Sequence, residues 1–281
     1  MKRLAWLLAA ALLLTVAGMA AGLSFLQSQG VTPRALAPYI LKRTSGHNPL
    51  IVGTGRLVSA TLERLDRGDS GPYTLPALTL GAQPQALPAP AGAERLVASS
   101  EDAWRAIAGA APGDVITFLP GDYALRATVY ASRAGSAGAP IVVRAARPGT
   151  VRIEVAAAEG FKVTAPYWRF ENLTLHGSCA YDDICEHAFH VAGNAHHFIA
   201  RNNTIRDFNA HFKINGERGA FPDDGLIESN TLGNGAPRRT AHPVTPIDLV
   251  AASGWTIRAN LIHDFVKGAG DRISYGAFAK G

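Results

Sequence analysis

Residues 189–208 read FHVAGNAHHFIARNNTIRDF. An apolar–polar–apolar triplet opens the line, Gly193-Asn194 supplies a turn, and a second short run leads to Asn203 and then Ile205. Alternate side chains of a strand face opposite ways, so Phe189 and Val191 point to one side and His190 to the other. The same plan recurs as FKVTAPYWRFENLTLHG from Phe161, FKINGERGAFPDDGLIESNTLGNG from Phe212 and IDLVAASGWTIRANLIHDF from Ile247. The line starts are 28, 23 and 35 residues apart.

Strands this short cannot bury an apolar side alone, and stacking successive lines makes one continuous core. The pattern predicts an all-β solenoid. Asn203, Asn230 and Asn260 fall in register ahead of Ile205, Leu232 and Ile262, whereas Asn172 is one position out of frame and Leu173 takes the slot. Asparagines repeated at one bend can bond to each other and to nearby backbone, so these three are expected to form a structural ladder.

Upstream of the repeat, Ser99 and Asp102 are spaced as an approximate capping box, opening a helix that carries Trp104 and Ile107. The turn tripeptide Pro-Gly-Asp then occurs twice around a strand, in PGDVITFLPGDY at 112–123, and SRAGSAGAPIVVRAARPG follows at 132–149. Together with the repeat, these features resemble the right-handed parallel β-helix of polysaccharide lyases, in the chondroitinase-B-like and alginate-lyase-like branch. The resemblance covers roughly residues 94–281 and identifies the fold more closely than the activity, since one fold hosts many functions. It implies an N-terminal capping helix, a site along an outward parallel sheet, and β-elimination on uronic-acid polysaccharide.

Stacking the lines places Lys162, His190, Lys213 and Asp248 in one outward column. β-Elimination requires a neutralised sugar carboxylate, a base for the C5 proton and an acid for the leaving oxygen, and such side chains can supply these roles. Lys213, His190 and Asp248 are therefore the expected catalytic group. Lys162, Arg238, Arg239 and Lys280 are the expected substrate-binding group. Solvated strand faces also carry such residues, and Asp248 beside Lys213 also reads as a simple ion pair. The lysine-then-arginine context of alginate lyases of this type is not found; the nearest lysine on a late strand is Lys280, in SYGAFAKG. A non-catalytic envelope protein that binds glycans or proteins through the same face is the alternative, and a shortened solenoid without activity of its own is a third.

No metal site is assigned. Calcium is the one cofactor kept open, with no residues assigned to it; Asp182, Asp183, Glu186 and His187 could bind a cation, where a solvated loop is the simpler reading, and Asp223-Asp224-Gly225 reads as a turn. His196 and His197 would face opposite ways in an extended strand. Trp168 and Trp255 are expected to pack in turns or the core. Cys179 and Cys185, in SCAYDDIC, are expected to form a local disulfide in an oxidising compartment.

The formal charge of +5 does not point to nucleic acid. Residues 1–93 hold 8 Lys and Arg against 3 Asp and Glu, while residues 94–281 hold 19 of each. The organisation expected is a signal anchor or signal peptide at 1–26, a basic membrane-proximal helical segment at 27–70, a Pro/Ala-rich linker at 71–93 and the β-helix at 94–281. Met1-Lys2-Arg3 precedes an uncharged stretch from Leu4 to Leu26, about the roughly 20 residues a membrane crossing needs. An anchor with the domain outside the cytoplasm, in the periplasm, is favoured over cleavage after Ala20 and secretion. In the helical segment Leu57, Val58, Leu62 and Leu65 form the apolar face, and Gly68 is the stop signal. The chain ends just after Lys280, where another coil opens, so a shortened form or a protein partner covering that edge is expected.

Overall fold

The computed structural model describes residues 31–66, 77–85, 88, 91–269 and 274–280, with scattered positions among the first thirty. About half of the apolar stretch, Gly68 and part of the 71–93 linker lie outside the described residues. Among the described residues, no helix is long and apolar enough to cross a membrane. The chain divides into two compact units, Met1–Pro76 and Ala77–Gly281.

The first unit contains helices α1 (Pro33–Thr44) and α2 (Pro49–Leu65). Each begins with proline after a capping side chain: Thr32 Oγ1 accepts from Ala35 N, and Asn48 Oδ1 accepts from Ile51 N at 3.0 Å. The face of α2 that meets α1 differs from the expected one. Of the four apolar residues only Leu62 is buried, alongside Gly55 and Ser59 at helical spacing, while Leu57, Val58 and Leu65 are exposed. Small residues decide this face, because a Cβ on Gly55 would stand 2.1 Å from Thr44 Oγ1 and Ser59 Oγ donates to Ala37 O.

The second unit is a parallel β-helix of three sheets. The first is ordered β1 (Ala93–Val97), β2 (Asp114–Phe118), β5 (Ile141–Ala145), β8 (Trp168–Glu171), β11 (Ile199–Arg201), β14 (Leu226–Glu228), β18 (Thr256–Arg258). The second is ordered β3 (Gly121–Leu125), β6 (Val151–Val155), β9 (Thr174–Gly177), β12 (Thr204–Arg206), β15 (Thr231–Gly233), β19 (Leu261–His263). The third, which carries the column, is ordered β4 (Val129–Ala131), β7 (Glu159–Val163), β10 (His187–Ala192), β13 (Ala210–Asn215), β17 (Thr245–Val250), β21 (Phe278–Lys280). Every strand pair in them is parallel, as a solenoid that visits each sheet once per coil requires.

Inward residues stack coil upon coil. Phe161, Phe189 and Phe212 are fully buried, with successive ring centroids 5.5 and 5.3 Å apart and Ile247 next in register. The helix Ser100–Ala108 (α3) closes the first coil as expected: Ser99 Oγ accepts from Asp102 N, and Trp104 lies 6.0 Å from both Phe118 and Phe161.

The corner between the first and second sheets is the asparagine ladder. Asn230 Oδ1 accepts from both the backbone N and Nδ2 of Asn203, and Asn260 Oδ1 does the same for Asn230. Their Nδ2 groups also donate to Phe170, Ala200 and Ile227 carbonyls. Leu173, in the slot without an asparagine, donates its N–H to Asn203 Oδ1. The residue before each slot is left-handed: Asn172, Asn202, Ser229 and Ala259 have φ of 62°, 57°, 53° and 54°. Within the stretch read as linker, Gly81 N donates to Ala259 O, and Gln83 N to Asn202 Oδ1, so residues 81–83 lie along this corner.

Outward residues of the first sheet alternate in sign: Arg144, Glu171, Arg201, Glu228 and Arg258 are successive partners in register. Glu171 is fully buried and accepts from Arg201 at 2.8 Å, and Glu228 accepts from Arg258 at 2.6 Å. This row gives the unit structure rather than a binding face.

Candidate functional site

Register makes the column real. Tyr130 pairs with Lys162, Lys162 with His190, His190 with Lys213, Lys213 with Asp248, and Asp248 with Phe278. Neighbouring coils put these side chains about 4.8 Å apart.

A second row lies beside it. Glu159 pairs with His187 and His187 with Ala210, each three residues ahead of Lys162, His190 and Lys213. Strict alternation would send residues three apart to opposite faces, yet Glu159 and Lys162, like His187 and His190, are both partly exposed. The two residues between them are buried: Gly160 and Phe161 in β7, Ala188 and Phe189 in β10, His211 and Phe212 in β13. A Cβ on Gly160 would lie 2.6 Å from Ala188 O, so this irregular step needs glycine there.

The result is a compact cluster. Glu159 Oε1 lies 2.5 Å from His190 Nδ1 and 3.8 Å from His187 Nδ1, and the two imidazole centroids are 5.5 Å apart. His187 and His190 beside it hold the Glu159 carboxyl well below the usual carboxylate range, with Lys162 adding to the effect. His190 Nε2 meets Asn215 Oδ1 at 2.9 Å, so both ring nitrogens of His190 are engaged. Lys213 Nζ donates to Asp248 Oδ2 at 2.6 Å, so this expected base is tied to a carboxylate. Lys162 makes no hydrogen bond or ion pair among the described residues.

Two depressions flank the column. An open groove of about 490 Å³ is bounded by Tyr130, Lys162, Thr164, Asn194, Glu217 and Arg218. A smaller one of about 210 Å³ is bounded by His187, Asn209, Lys213, His242 and Asp248. Tyr130 is exposed, and its hydroxyl has no partner among the described residues. Arg218 is 91% exposed, with the carboxylate of Glu217 at 4.0 Å.

Of the other expected substrate residues, Arg238 and Arg239 do not join this face, and Lys280 lies at the far edge of the same sheet. Arg238 is buried, paired with Asp182 at 2.9 Å and donating to Asn209 Oδ1, so its guanidinium cannot reach over the sheet. Burial lowers its pKa, and Asp182 opposes the shift. Arg239 is exposed on β16 (Arg238–Arg239), which pairs with β20 (Lys267–Ala269), with its backbone N on Asp182 Oδ2. Lys280 pairs with Val250, in the row of Asn215 and two coils beyond it.

The acidic loop has a structural task. Cys179 and Cys185 form the expected disulfide. Asp182 binds Arg238, while Asp183 accepts from Thr240 Oγ1 and Ala241 N, so these carboxylates tie the 238–241 segment to the disulfide loop. Asp223 likewise serves a turn, accepting from Ser253 N. His196 and His197 do not diverge: His197 is left-handed, and their Nδ1 atoms lie 2.8 Å apart. Trp168 is buried and Trp255 packs against the core, each donating its indole N–H to a turn carbonyl.

Sequence reasoning missed Glu159, Tyr130 and Arg218. The first had a visible signal, because Glu159 precedes Lys162 by the interval that separates His187 from His190. Tyr130 sits in VYA, a coil before the first quoted repeat.

No family model matches the chain, and no curated protein matches it. Among solved structures it is similar to an alginate lyase from Paenibacillus sp., at 16% identity and a TM-score of 0.44. That similarity covers 63% of this chain and 68% of the other. The parallel β-helix itself is read from this chain's own three parallel sheets. A pectate lyase (21% identity, TM-score 0.36, 60% of this chain and 51% of that one) is also similar. So is a PL6-family alginate lyase (12%, 0.28, 64% and 40%). The β-helix thus spans about half or less of the latter two, and the likeness is one of fold.

Proposed function

We propose that this β-helix binds an acidic polysaccharide across its third sheet and cleaves it by β-elimination at a uronate lying over Tyr130 and Lys162. The observation that carries the reading is the unpaired Lys162 amine, in register with the free Tyr130 hydroxyl and bordering the same groove as Arg218.

In this arrangement Arg218 meets the sugar carboxylate, its planar donors being suited to that group. Withdrawing charge from the carboxylate acidifies the C5–H bond. Lys162, as the amine, takes that proton, the C5–H electrons form the C4–C5 double bond, and the C4–O bond breaks towards the leaving sugar. Tyr130 gives the departing oxygen its proton. Atoms balance without water, leaving one unsaturated uronate end per cleavage. Lys213 and His190, expected from sequence to do this chemistry, are held by Asp248 and Glu159 and border the binding face instead.

The disulfide supports a place outside the cytoplasm, where such bonds persist. Membrane attachment through the N-terminal segment belongs to the same proposal.

The test is release of unsaturated uronate from alginate, chondroitin and pectin. Turnover on one of them is expected. Saturable glycan binding without turnover on any would instead favour the non-catalytic binding protein.

A further inference from the structure

We propose that Glu159, His187 and His190 form a binding site for one divalent transition-metal ion of the zinc class. One donor atom from each residue lies within 4.8 Å of the other two, close enough to converge on a single ion.

The hydrogen bonds around His190 give the physical reason. Asn215 Nδ2 donates to Gly216 O, which turns Asn215 Oδ1 towards the His190 ring. An amide oxygen only accepts, so His190 Nε2 carries the hydrogen. In a neutral imidazole the lone pair is then on Nδ1, which faces Glu159 Oε1 at 2.5 Å. A proton on Nδ1 would satisfy this contact alone, whereas a metal ion held by both atoms would also engage His187. His187 adds to this: its Nδ1 is buried, has no hydrogen-bond partner and lies 3.8 Å from the same oxygen. Asn215 fills the supporting role that orients a metal-binding histidine through its other nitrogen.

The donor set selects the ion. Two imidazoles and one carboxylate suit zinc and its neighbours and leave a position for water or an anionic oxygen. Calcium takes six to eight oxygens, more than this cluster offers. The remaining histidine clusters differ in geometry. Glu154 and Asp207 engage opposite nitrogens of His176, at 2.7 and 3.1 Å, and do not converge. His196 and His197 face each other without a third ligand among the described residues. The nearby Lys213 charge is answered by Asp248, which leaves Lys162 as the cation opposing the ion.

The site stands apart from the lyase reading, since it is tested without glycan. Full-length protein stripped with chelator is titrated with zinc chloride alone, followed by calorimetry and thermal melting. One zinc per chain and a raised melting temperature are expected, with no comparable effect of calcium chloride. Glu159→Gln, His187→Gln and His190→Ala should each weaken zinc binding at least tenfold. Lys162→Ala and the His196→Ala/His197→Ala double variant should retain it. Metal-free melting and circular dichroism identify folded variants, and His190→Gln replaces any that fails to fold. Absence of saturable zinc binding to the wild type overturns the site, as does binding that survives in folded ligand variants.

Discussion

Lys213 donates to Asp248 across β13 and β17 at 2.6 Å, with both side chains about three-quarters buried, at 27% and 21% exposure. Two coils earlier in the same row, Lys162 has no such partner among the described residues. The pair therefore separates two lysines that look alike in sequence. Replacing Lys213 by Ala should cost about 1 kcal/mol in denaturant unfolding. Glycan cleavage should persist within about tenfold of wild type, while Lys162→Ala should remove it. Loss of cleavage in Lys213→Ala, with folding intact, would return the base to Lys213.

The asparagine ladder makes a graded prediction. Asn230 accepts two N–H groups from Asn203 and donates to Ala200 O, all buried. Asn230→Ala leaves those groups without partners and should cost about 2–4 kcal/mol, because each orphaned buried group carries a desolvation penalty. Asn260, only partly buried, should cost less on the same change. Equal losses in chemical denaturation would argue against the ladder as the source of stability.

The repeat was legible because inward Phe161, Phe189, Phe212 and Ile247 and the asparagine slots obey one local rule per coil. The column followed, since strand alternation fixes the residue between two core positions. Glu159 and His187 were missed as partners because their strands break alternation at Gly160 and Ala188, although their shared three-residue interval to Lys162 and His190 was visible. Arg238 was misread for a different reason: its ion pair with Asp182 joins segments 56 residues apart, and a charge pattern does not reveal burial. On α2, apolar residues suggested one face while Gly55 and Ser59 permitted close approach on another.

His211 occupies the irregular step of β13 and is fully buried between Phe208 and Phe265. Burial pushes its pKa from 6.5 down to about 3, so the folded protein keeps the ring neutral while the unfolded chain protonates near 6.5. Stability from this residue is therefore present above pH 6.5 and falls as pH drops towards 3. The slope is about 1.4 kcal/mol per pH unit. His211→Phe should flatten the acid limb of a stability–pH curve over that window. An unchanged limb would show that His211 is protonated in the fold.

Ala259 holds a left-handed conformation with φ of 54°, and its carbonyl accepts from Gly81 N. Glycine adopts this region without the Cβ penalty, although it loses more chain entropy on folding. Ala259→Gly should thus stabilise by about 0.5–1 kcal/mol, read as a raised denaturation midpoint at unchanged slope. Destabilisation would mean that the side chain contributes more packing than its backbone costs.

Lys162→Arg is the most direct test of the lyase reading, because arginine keeps the positive charge but cannot give up its proton to become a base. Unsaturated uronate formation is measured for wild type, Lys162→Ala and Lys162→Arg on the polysaccharide the wild type cleaves. The predicted result is that both variants lose about a hundredfold or more while still binding the glycan. Lys162→Arg cleaving at close to the wild-type rate would contradict the assignment and leave Lys162 as a binding charge only.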